Sequence, residues 1–529
     1  MASKTANNGK NVLISINPAT LEVLGEIPMK TPQEVKEAVR GADRAFDGWA
    51  GLGVAERGRY LLKVRDYLLE HVDAYCDVIS KENGKPRLEA LSAELFLVTD
   101  LITYYVKRAP ELLKDRPISL HNPIFKATKS SKLVYEPLGV MAVVSPWNYP
   151  FAIPMSGILF SLLAGNTVLF KPASDTAMIG LKIDEALNKG AGLPEGVFTT
   201  IIASGRAMGT ALFEPPVRKV IFTGSTDVGK KINAICAKNL IPTVMELGGK
   251  DPMVVCEDAD LELASRGAVW GAFMNCGQVC ASIERVYVAR PIYDRFVELC
   301  VEKTKALRVG QDLDHEVDIG PLANEEQLGI VEAHIRDALE KGARILTGGK
   351  RIQGLQGYFW EPTILVDVNH TMDCMTEETF GPTLPIMPFD SEDEAVRLAN
   401  DSVFGLTASV WTKDPAKGDA IARRLQGGTV TVNDHAYTYG VCETPWQGMK
   451  ESGIGRSHSD AGLMEMVFPK HVNTDHSLGF MKRRMWWYPY SSAAYEVQKM
   501  AFNAFVHAKA FPKFLLSVAT RKDYRKTLY

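Results

Sequence analysis

The chain has 529 residues, of which 46% are hydrophobic and 23% charged, and its formal net charge is -3. This balance is ordinary for a globular protein and excludes a disordered or collagen-like chain. Because neither sign of charge dominates, the composition gives no reason to expect a nucleic-acid partner. The length exceeds that of one simple core, so we expect two or three packed domains.

Eight cysteines are scattered along the chain, too sparsely for a disulfide framework, so a reducing compartment such as the cytoplasm is expected. Cys276 and Cys280 have the spacing of half a metal site. No second Cys or His pair accompanies them, so no metal is expected. The first ten residues lack the apolar stretch of a secretory signal, and we do not expect secretion.

The predicted elements alternate between helices and short apolar strands. Thr31 followed by Pro32 predicts the start of a helix, because Thr is a good N-cap and Pro fits the first helical turn. Residues 140–144 have no polar face, which is typical of a strand buried on both sides. Similar short runs lie at 167–172, 220–224, 285–288, 384–389 and 428–433. This alternation predicts an α/β fold with two Rossmann-like parallel-sheet domains.

The C-terminal segment differs from the rest of the chain in charge. From Lys482 onward, ten Lys and Arg stand against only Glu496 and Asp523, and aromatic residues are interspersed among them. The pattern predicts an amphipathic helix. No stretch of it is long or apolar enough to span a bilayer.

Cys280 and Glu246 are the most informative pair of residues, because both lie in glycine-rich surroundings. A cysteine thiolate can attack an electrophilic carbon and form a covalent intermediate. A positioned carboxylate can then deprotonate the water that releases the intermediate. The pair therefore suggests one reaction in two steps, although either residue alone would be weak evidence.

Two features suggest a nucleotide cofactor. Gly224 and Gly229 lie where a strand is expected to pass into a helix, and such a turn lets backbone N–H groups approach a pyrophosphate. It is not the G-x-G-x-x-G fingerprint, and an ordinary turn is the alternative. Lys171 follows a predicted strand and could reach a ribose or phosphate; a solvated lysine is the alternative.

Seven motifs together closely resemble the aldehyde dehydrogenase superfamily in order and spacing, from about Ile14 to Thr474. They are Pro146-Trp147-Asn148-Tyr149-Pro150, Lys171-Pro172, Phe222-Thr223-Gly224-Ser225-Thr226, Met245-Glu246-Leu247-Gly248-Gly249-Lys250, Gly277-Gln278-Val279-Cys280, Glu377-Glu378-Thr379-Phe380-Gly381-Pro382 and Lys450-Glu451-Ser452-Gly453-Ile454-Gly455-Arg456.

The resemblance implies a catalytic role for three residues. Cys280 would attack the aldehyde carbon and give a thiohemiacetal that transfers a hydride to nicotinamide. The side-chain amide of Asn148 and the backbone N–H of Cys280 would hold the oxyanion. Glu246 would activate the water that hydrolyses the thioester.

It also implies binding of NAD or NADP. Glu378 would contact the nicotinamide ribose and Phe380 would pack beside the nicotinamide. The full set of implied cofactor residues is Trp147, Lys171, Ser174, Gly224, Ser225, Gly229, Leu247, Glu378 and Phe380. Ser174 stands where NAD-preferring members often carry a glutamate that repels a 2'-phosphate, so NADP can be accepted, although the neighbouring Asp175 could restore part of that repulsion.

A second departure from the family pattern concerns the substrate tunnel. Ser156 stands where many members that take small aldehydes have a tryptophan, so the tunnel should be wider. Tyr149, Trp446 and Tyr437 would give it aromatic walls. Because no Arg or Lys lies among these positions, apolar aldehydes, either bulky or of medium to long chain, fit better than semialdehyde acids.

The resemblance implies a homodimer or homotetramer, with an interface built near Lys132 to Glu136 and near Val472. The implied parts are a cofactor-binding domain at 10–122 and 141–247, a catalytic domain at 248–451, a small β oligomerisation element at 123–140 and 452–477, and a basic aromatic C-terminal extension at 478–529. This extension could pack across a neighbouring subunit, cap the tunnel mouth or rest on an anionic membrane.

Three alternatives remain at the level of sequence. A CoA-acylating aldehyde dehydrogenase would typically lack the base at Glu246. A non-catalytic, membrane-associated scaffold with this fold would be expected to have lost Cys280 or Asn148. Cys276 could pair with Cys280 in a reversible disulfide, or it is only a small buried residue.

Overall fold

The computed structural model describes residues 11–312, 314–476 and 487–522. The first ten residues, the beginning of the predicted C-terminal extension and its last seven residues lie outside this range. The described chain divides into two compact units. One unit holds the residues as far as Leu112 and those from Pro137 to Val467, and the other holds 113–136 and the residues from Phe468 onward.

Helices are distributed along the whole described chain. The helices are Pro32–Ala50, Val54–Glu70, Val72–Asn83, Arg87–Ala90, Phe96–Leu112, Pro123–Thr128, Ala152–Ala164, Ala177–Asp184, Gly205–Met208, Thr226–Lys238, Leu261–Phe273, Tyr293–Lys305, Glu325–Glu340, Asp373–Thr376, Glu392–Asn400, Pro415–Ala422, Ser459–Met464, Ser492–Val506 and Phe511–Thr520.

The predicted helix start at Thr31 is confirmed by a capping box. The Thr31 side chain accepts a hydrogen bond from the Glu34 backbone N–H at 3.3 Å, and the Glu34 carboxylate accepts one from the Thr31 backbone N–H at 2.7 Å. Pro32 occupies the first helical turn, where its missing N–H costs nothing.

A six-stranded sheet lies in the first unit. Its strands, in spatial order, are Gly453–Ile454, Thr243–Glu246, Val217–Thr223, Val140–Val144, Thr167–Lys171 and Phe198–Thr200. All neighbours are parallel except the first pair. Every residue of the central strand Val140–Val144 is buried, as its uninterrupted apolar pattern predicts.

A seven-stranded sheet completes the α/β architecture of this unit. Its strands, in spatial order, are Arg344–Thr347, Thr363–Val366, Thr383–Phe389, Ile283–Ala289, Asp251–Val255, Thr407–Trp411 and Thr429–Val432. Only the first pair is antiparallel. The two parallel sheets confirm the predicted fold class, while the domain boundaries inferred from the resemblance stay a prediction.

Smaller sheets lie in both units. Val12–Ile16 pairs with Val23–Pro28 in the first unit. A three-stranded sheet in the order Val467–Asp475, Lys129–Pro137 and Arg116–Ile118 belongs mainly to the second unit. The second unit also contains the two C-terminal helices. In the described part of the chain, no helix has both the length and the apolar character needed to cross a bilayer.

Candidate active site

Cys280 lies in a tight loop of the first unit. The loop follows helix Leu261–Phe273 and precedes strand Ile283–Ala289. Asn275 and Cys276, just before the cysteine, both adopt positive φ, at 49° and 58°. This left-handed backbone is unusual outside glycine, so surrounding contacts must hold it.

One such contact comes from Glu89. Its two carboxylate oxygens accept hydrogen bonds from the Asn275 backbone N–H at 3.1 and 3.0 Å. The carboxylate is surrounded by protein, and burial raises its pKa to about 7, although the bond from Asn275 opposes the rise. Glu89 thus ties the strained turn to the short helix Arg87–Ala90.

Asn148 is held against the same loop from the other side. Its side-chain amide donates to the Gln278 carbonyl at 3.0 Å, two residues before Cys280. Its backbone carbonyl accepts hydrogen bonds from Asn275 Nδ2 at 3.0 Å and Lys85 Nζ at 2.9 Å. The predicted oxyanion donor is therefore fixed at three points beside the cysteine loop.

A buried ion pair supports Asn148. Lys85 Nζ lies 2.7 Å from Glu94 Oε1, and both side chains are fully buried. The other Glu94 oxygen accepts from the backbone N–H groups of Phe151 and Ala152, at the start of the helix that follows Asn148. A carboxylate at a helix N-terminus is favoured by the helix dipole, so this pair fixes the position of that helix.

Glu246 ends strand Thr243–Glu246 and is buried. Neither carboxylate oxygen has a hydrogen-bond partner among the described residues. Burial raises its pKa to about 8, a rise that the neighbouring Ser457 hydroxyl only partly opposes. A carboxyl group with a pKa near neutrality and free oxygens is suited to accept a proton from water.

The Cys280 thiol has a raised pKa. Burial is the main cause, and the nearby carboxylates of Glu378, Asp251 and Glu246 add to it. These surroundings favour the thiol over the thiolate, which is the reactive form.

Cys280 and Glu246 line one cavity. Its other lining residues are Ile153, Ser156, Gly157, Ile221, Thr223, Val244, Leu247, Leu406, Tyr439, Trp446, Ser457 and Met466. Most of these side chains are apolar, and the only ionisable ones are the cysteine, the glutamate and a tyrosine. The cavity can thus bring an apolar molecule to the thiol and the carboxyl group together.

Glu378 lies near Cys280, and Gly248 lies against Glu378. Glu378 accepts a hydrogen bond from the Gly249 backbone N–H at 2.9 Å. A Cβ atom on Gly248 would lie 2.6 Å from Glu378 Oε2, so a larger residue there would displace the carboxylate. Burial, and then the charge of Glu284, raise the pKa of Glu378 to about 8.

Phe380 is positioned beside Trp147, with ring centroids 5.4 Å apart in an edge-to-face arrangement. The Phe380 backbone has a positive φ of 52°. Its N–H donates to Glu284 at 2.8 Å, and Glu284 forms a buried ion pair with Lys250 at 2.6 Å. This network holds the loop that carries Glu378 and Phe380.

Gly224, Ser225 and Gly229 form the start of helix Thr226–Lys238. Ser225 is the N-cap, but its side chain makes no capping hydrogen bond, so the first N–H groups of the helix have no side-chain cap. A Cβ atom on Gly229 would lie only 2.5 Å from the Leu247 side chain. Glycine therefore allows Leu247 to pack closely on this helix start.

Lys171 ends strand Thr167–Lys171, and its Nζ donates to the Pro172 carbonyl at 3.1 Å. Burial lowers its pKa, while Asp175 opposes the change. Ser174 is exposed and begins a short turn three residues later. Position 174 thus carries a hydroxyl, and the carboxylate whose charge acts on Lys171 is that of the neighbouring Asp175.

Comparison with known proteins agrees with this geometry. The model of the aldehyde dehydrogenase family matches residues 5–472. The chain is 38% identical over 484 residues to 4,4'-diapolycopene aldehyde oxidase of Methylomonas sp, a match that covers 92% of this chain and 89% of that protein. The chain belongs to the aldehyde dehydrogenase family.

Solved structures of aldehyde dehydrogenases and related enzymes share the fold. An NADP-dependent enzyme of E. coli superposes with a TM-score of 0.84 at 36% identity, over 89% of this chain and 95% of that one. Betaine aldehyde dehydrogenase of Staphylococcus aureus, solved in complex with NAD+, superposes with a TM-score of 0.85 at 31% identity, over 90% and 94% of the two chains. The protein is therefore an aldehyde dehydrogenase, and oxidation of aldehydes is its general activity.

The cavity shared by Cys280 and Glu246 can be compared with the substrate tunnel expected for this aldehyde dehydrogenase. Ser156 and Trp446 line the cavity and Tyr149 and Tyr437 are not among its lining residues, while the tunnel itself stays a prediction. Tyr149 is buried with Lys85 Nζ 3.8 Å from the centre of its ring. Tyr437 is 53% exposed, and its role as an aromatic wall stays a prediction.

Tyr439, which the sequence analysis missed, also lines the cavity. Its hydroxyl lies 3.3 Å from Ser156 Oγ, and its ring packs against Trp446 at 5.1 Å and against His458 at 4.2 Å. The space left by a serine at 156 is thus bordered by a tyrosine. The sequence Tyr437-Thr438-Tyr439 gave no signal to tell the two tyrosines apart.

Cys276 and Cys280 are both free thiols. Cys276 is buried at 1% exposure, whereas Cys280 is partly accessible. Burial raises the pKa of Cys276, as it does that of Cys280. Cys276 belongs to a cluster of buried apolar side chains, and its pairing with Cys280 stays an open alternative.

Proposed function

We propose that this aldehyde dehydrogenase oxidises an apolar aldehyde, bulky or of medium to long chain, to the carboxylate through a thioester on Cys280 that Glu246-activated water hydrolyses. The observation that carries the proposal is the shared cavity. It joins a thiol and an unpartnered carboxyl group within a mainly apolar lining.

In the first step, the Cys280 sulfur attacks the aldehyde carbon and its proton passes to solvent. The carbonyl oxygen becomes an oxyanion. Asn148 is the side-chain donor beside the loop, and its amide can turn from the Gln278 carbonyl to the oxyanion, a contact worth about 3 kcal/mol in other enzymes. Because Asn148 is held by Lys85 and Asn275, its reorganisation cost is small.

NAD or NADP fits a second group of residues in the first unit. The uncapped N–H groups at Ser225 and the close packing at Gly229 suit a pyrophosphate, while Lys171 and Trp147 would border the adenosine. Glu378 would accept from the nicotinamide ribose. When bound, NAD or NADP would supply the hydride acceptor that the oxidation of the Cys280-bound carbon to a thioester requires.

In the second step, a water molecule attacks the thioester carbon while Glu246 takes its proton. The carbon–sulfur bond breaks, the carboxylic acid forms and Cys280 leaves as thiolate. The free oxygens of Glu246 and its pKa of about 8 supply the required base. Gly248 and Gly249 connect Glu246 to the region near Glu378. As glycines, they give the loop after Glu246 backbone freedom.

The central test is the fate of the acyl group. Water as acceptor predicts that an apolar aldehyde is converted stoichiometrically into carboxylate and reduced cofactor, with no effect of added CoA. Acceleration that depends on CoA, with an acyl-CoA product, would overturn the hydrolytic assignment and favour the CoA-acylating alternative.

Apolar substrates are supported by the cavity lining, which contains no Arg or Lys. The Methylomonas relative is named for the oxidation of 4,4'-diapolycopene aldehyde. A series of linear aldehydes of increasing length should show rising kcat/KM, with a semialdehyde acid as the polar comparator. A higher kcat/KM for the semialdehyde acid would contradict this choice.

Use of both NAD and NADP is supported by Ser174, because no carboxylate at that position repels a 2'-phosphate. Ser174→Glu should lower kcat/KM for NADP about 10-fold or more and leave the value for NAD nearly unchanged. Equal values for the variant and the parent enzyme would show that Asp175 or another group controls the preference.

A homodimer or homotetramer is supported by strand Val467–Asp475, an edge strand of the three-stranded sheet. Eight of its nine residues are exposed or only partly buried, and such an edge can pair with another chain. Light scattering should give two or four subunits. Val472→Pro, which removes one edge hydrogen bond, should shift the mass toward the monomer.

The proposed compartment is the cytoplasm, because eight free cysteines fit a reducing environment. Peripheral contact with a membrane is proposed for the C-terminal extension, since lipophilic aldehydes partition into bilayers. Such contact would place the enzyme close to its substrate.

A further inference from the structure

The two C-terminal helices of the second unit pack on each other. Ser492–Val506 begins after Ser491, whose side chain accepts a hydrogen bond from the Ala494 backbone N–H at 3.1 Å. Phe511–Thr520 follows after a short turn. The buried side chains between them are Val497, Ala501, Ala504 and Phe514. This helical hairpin therefore has a small core of its own.

A second set of apolar side chains lies outside this core. Their exposed fractions are 66% for Tyr495, 71% for Phe502, 62% for Val506, 52% for Leu515 and 65% for Leu516. On the first helix, Tyr495, Phe502 and Val506 share one face, because Phe502 and Val506 follow Tyr495 by seven and eleven residues. We call these five residues the outer face of the hairpin.

Exposed lysines accompany the outer face. Lys499 lies between Tyr495 and Phe502 on the same side of the first helix, and Lys509 and Lys513 follow in the turn and the second helix. In the whole segment from residue 482, ten Lys and Arg stand against two acidic residues. The other 481 residues carry 50 basic and 61 acidic side chains, so the positive charge is concentrated here.

We propose that the outer face binds the surface of an anionic phospholipid bilayer. Exposed aromatic and aliphatic side chains interleaved with lysine are typical of helices that lie in the headgroup region. The first helix has 15 residues. At about 1.5 Å per residue it is roughly 22 Å long, shorter than the roughly 30 Å hydrocarbon core, so the hairpin lies on the bilayer and does not span it.

Charge favours a bilayer over a second copy of the chain as the partner. Lysine is depleted in the cores of protein interfaces, whereas it is enriched where helices meet anionic lipids. An anionic surface also repels the acidic remainder of the chain, so attraction has to come through this segment. The inference rests on the proposed function in one respect, which is that the aldehyde substrate is lipophilic.

The test is vesicle co-sedimentation of the full-length protein. Vesicles of phosphatidylcholine with about one third phosphatidylglycerol should pellet the protein at low salt, and high salt should weaken the binding. Vesicles of phosphatidylcholine alone should bind far less. Failure to pellet with the anionic vesicles at low salt would overturn the proposal.

Two variants resolve the contributions of charge and apolar contact. Lys499→Gln, Lys509→Gln and Lys513→Gln combined should weaken binding about 100-fold, at roughly 1 kcal/mol for each lysine. Phe502→Ser should weaken it by about 10-fold or more through lost apolar contact. Unchanged binding in both variants would exclude the outer face as the contact.

A matched control removes the same charge elsewhere. Lys36, Lys238 and Lys305 are exposed on the first unit, and their combined change to Gln should leave vesicle binding unaltered. An equal loss in this control would mean that overall charge, and not the hairpin, controls binding. If the hairpin variants instead changed the subunit number and left vesicle binding intact, the face would be a subunit contact and the proposal would be wrong.

Activity separates this inference from the proposed function. All hairpin variants should oxidise a short, water-soluble aldehyde at the parent rate, because none of the changed residues lies in the active site. Oxidation of a long-chain aldehyde embedded in anionic vesicles should fall with binding. Absence of dehydrogenase activity in the parent enzyme would refute the proposed function without affecting the vesicle result.

Discussion

Two buried carboxyl groups near the cysteine loop differ in their hydrogen-bond partners. Glu94 pairs with Lys85 and accepts hydrogen bonds from two backbone N–H groups. Glu246, which lines the cavity, has no hydrogen-bond partner among the described residues. Both groups are buried, so burial alone does not distinguish a structural carboxylate from a reactive one.

The two groups differ in whether their carboxylate oxygens are already hydrogen-bonded to the protein. Glu94 accepts hydrogen bonds from three protein donors and so stabilises its surroundings. An unpartnered carboxylate is costly to bury as an anion, so its pKa rises to where it can exchange protons near neutrality. In the proposed mechanism, the first kind holds the site together and the second takes part in its chemistry.

The largest effect is expected in the cavity. Cys280→Ala removes the nucleophile and should reduce aldehyde oxidation by at least about 10⁴-fold, because no other group in the cavity can form the thioester. Absorbance of reduced cofactor measures the rate, and fluorescence titration should show that cofactor binding persists. Cys276→Ala is the matched control and should remain active. Near-parental activity of Cys280→Ala would refute the mechanism.

Glu246→Gln should separate the two steps. The amide cannot take a proton from water, so thioester hydrolysis should slow by about 10²- to 10⁴-fold. Hydride transfer does not need this base, and a burst of about one reduced cofactor per subunit should remain in stopped-flow absorbance. Glu257→Gln, at an exposed carboxylate, should behave like the parent. Loss of the burst would mean that Glu246 also acts before hydride transfer.

For the Lys85–Glu94 ion pair, the expected effect is on the stability of the fold. Lys85→Met leaves the Glu94 carboxylate buried without its cation and should lower the free energy of unfolding by about 3 to 5 kcal/mol in urea titrations. Combining Lys85→Met with Glu94→Gln removes the uncompensated charge and should recover part of that loss. A double variant less stable than Lys85→Met would contradict the ion-pair explanation.

The pH dependence gives a smaller change with a definite sign. The pKa of Glu246 is raised to about 8, so at pH 7 roughly a tenth of the groups are ionised and able to act as base. The rate of thioester hydrolysis, measured by rapid quench in single turnover, should therefore rise about tenfold from pH 6 to 7 and level off above pH 8. A flat profile between pH 6 and 8 would place the base elsewhere.

The sequence predicted the α/β fold and the parallel sheets, because buried parallel strands carry continuous apolar runs such as 140–144. The family motifs in the sequence also predicted that Cys280, Glu246 and Asn148 belong to one site. These features are encoded locally, in runs and glycine-rich turns that short stretches of sequence reveal. The catalytic roles assigned to them stay predictions for the experiments above.

The contacts across the fold were not predictable in the same way. The Lys85–Glu94 pair, the Glu89 contact to Asn275 and the position of Tyr439 depend on how distant segments meet. Nothing local marks them, since a lysine or glutamate in a helix is usually solvated. The sequence therefore could not show that Tyr439, and not Tyr437, lines this cavity.

The smallest predicted effect concerns this wall. Ser156 Oγ already donates to the Ile153 carbonyl at 2.9 Å, so the Tyr439 hydroxyl is the donor in their 3.3 Å contact. Tyr439→Phe removes one weak hydrogen bond and should change kcat/KM less than about threefold. Tyr439→Ala removes the ring and should raise the preference for branched over linear aldehydes about 10-fold, as expected for a few methylene groups of space.

Tyr437→Ala supplies the control, because that ring is mostly exposed and does not line the cavity. Its ratio of kcat/KM for branched and linear aldehydes should match that of the parent enzyme. If Tyr439→Ala left this ratio unchanged, the tyrosine would be a packing residue for His458 and Trp446. A change with Tyr437→Ala instead would mean that the exposed tyrosine controls substrate entry, and the cavity wall would have to be reassigned.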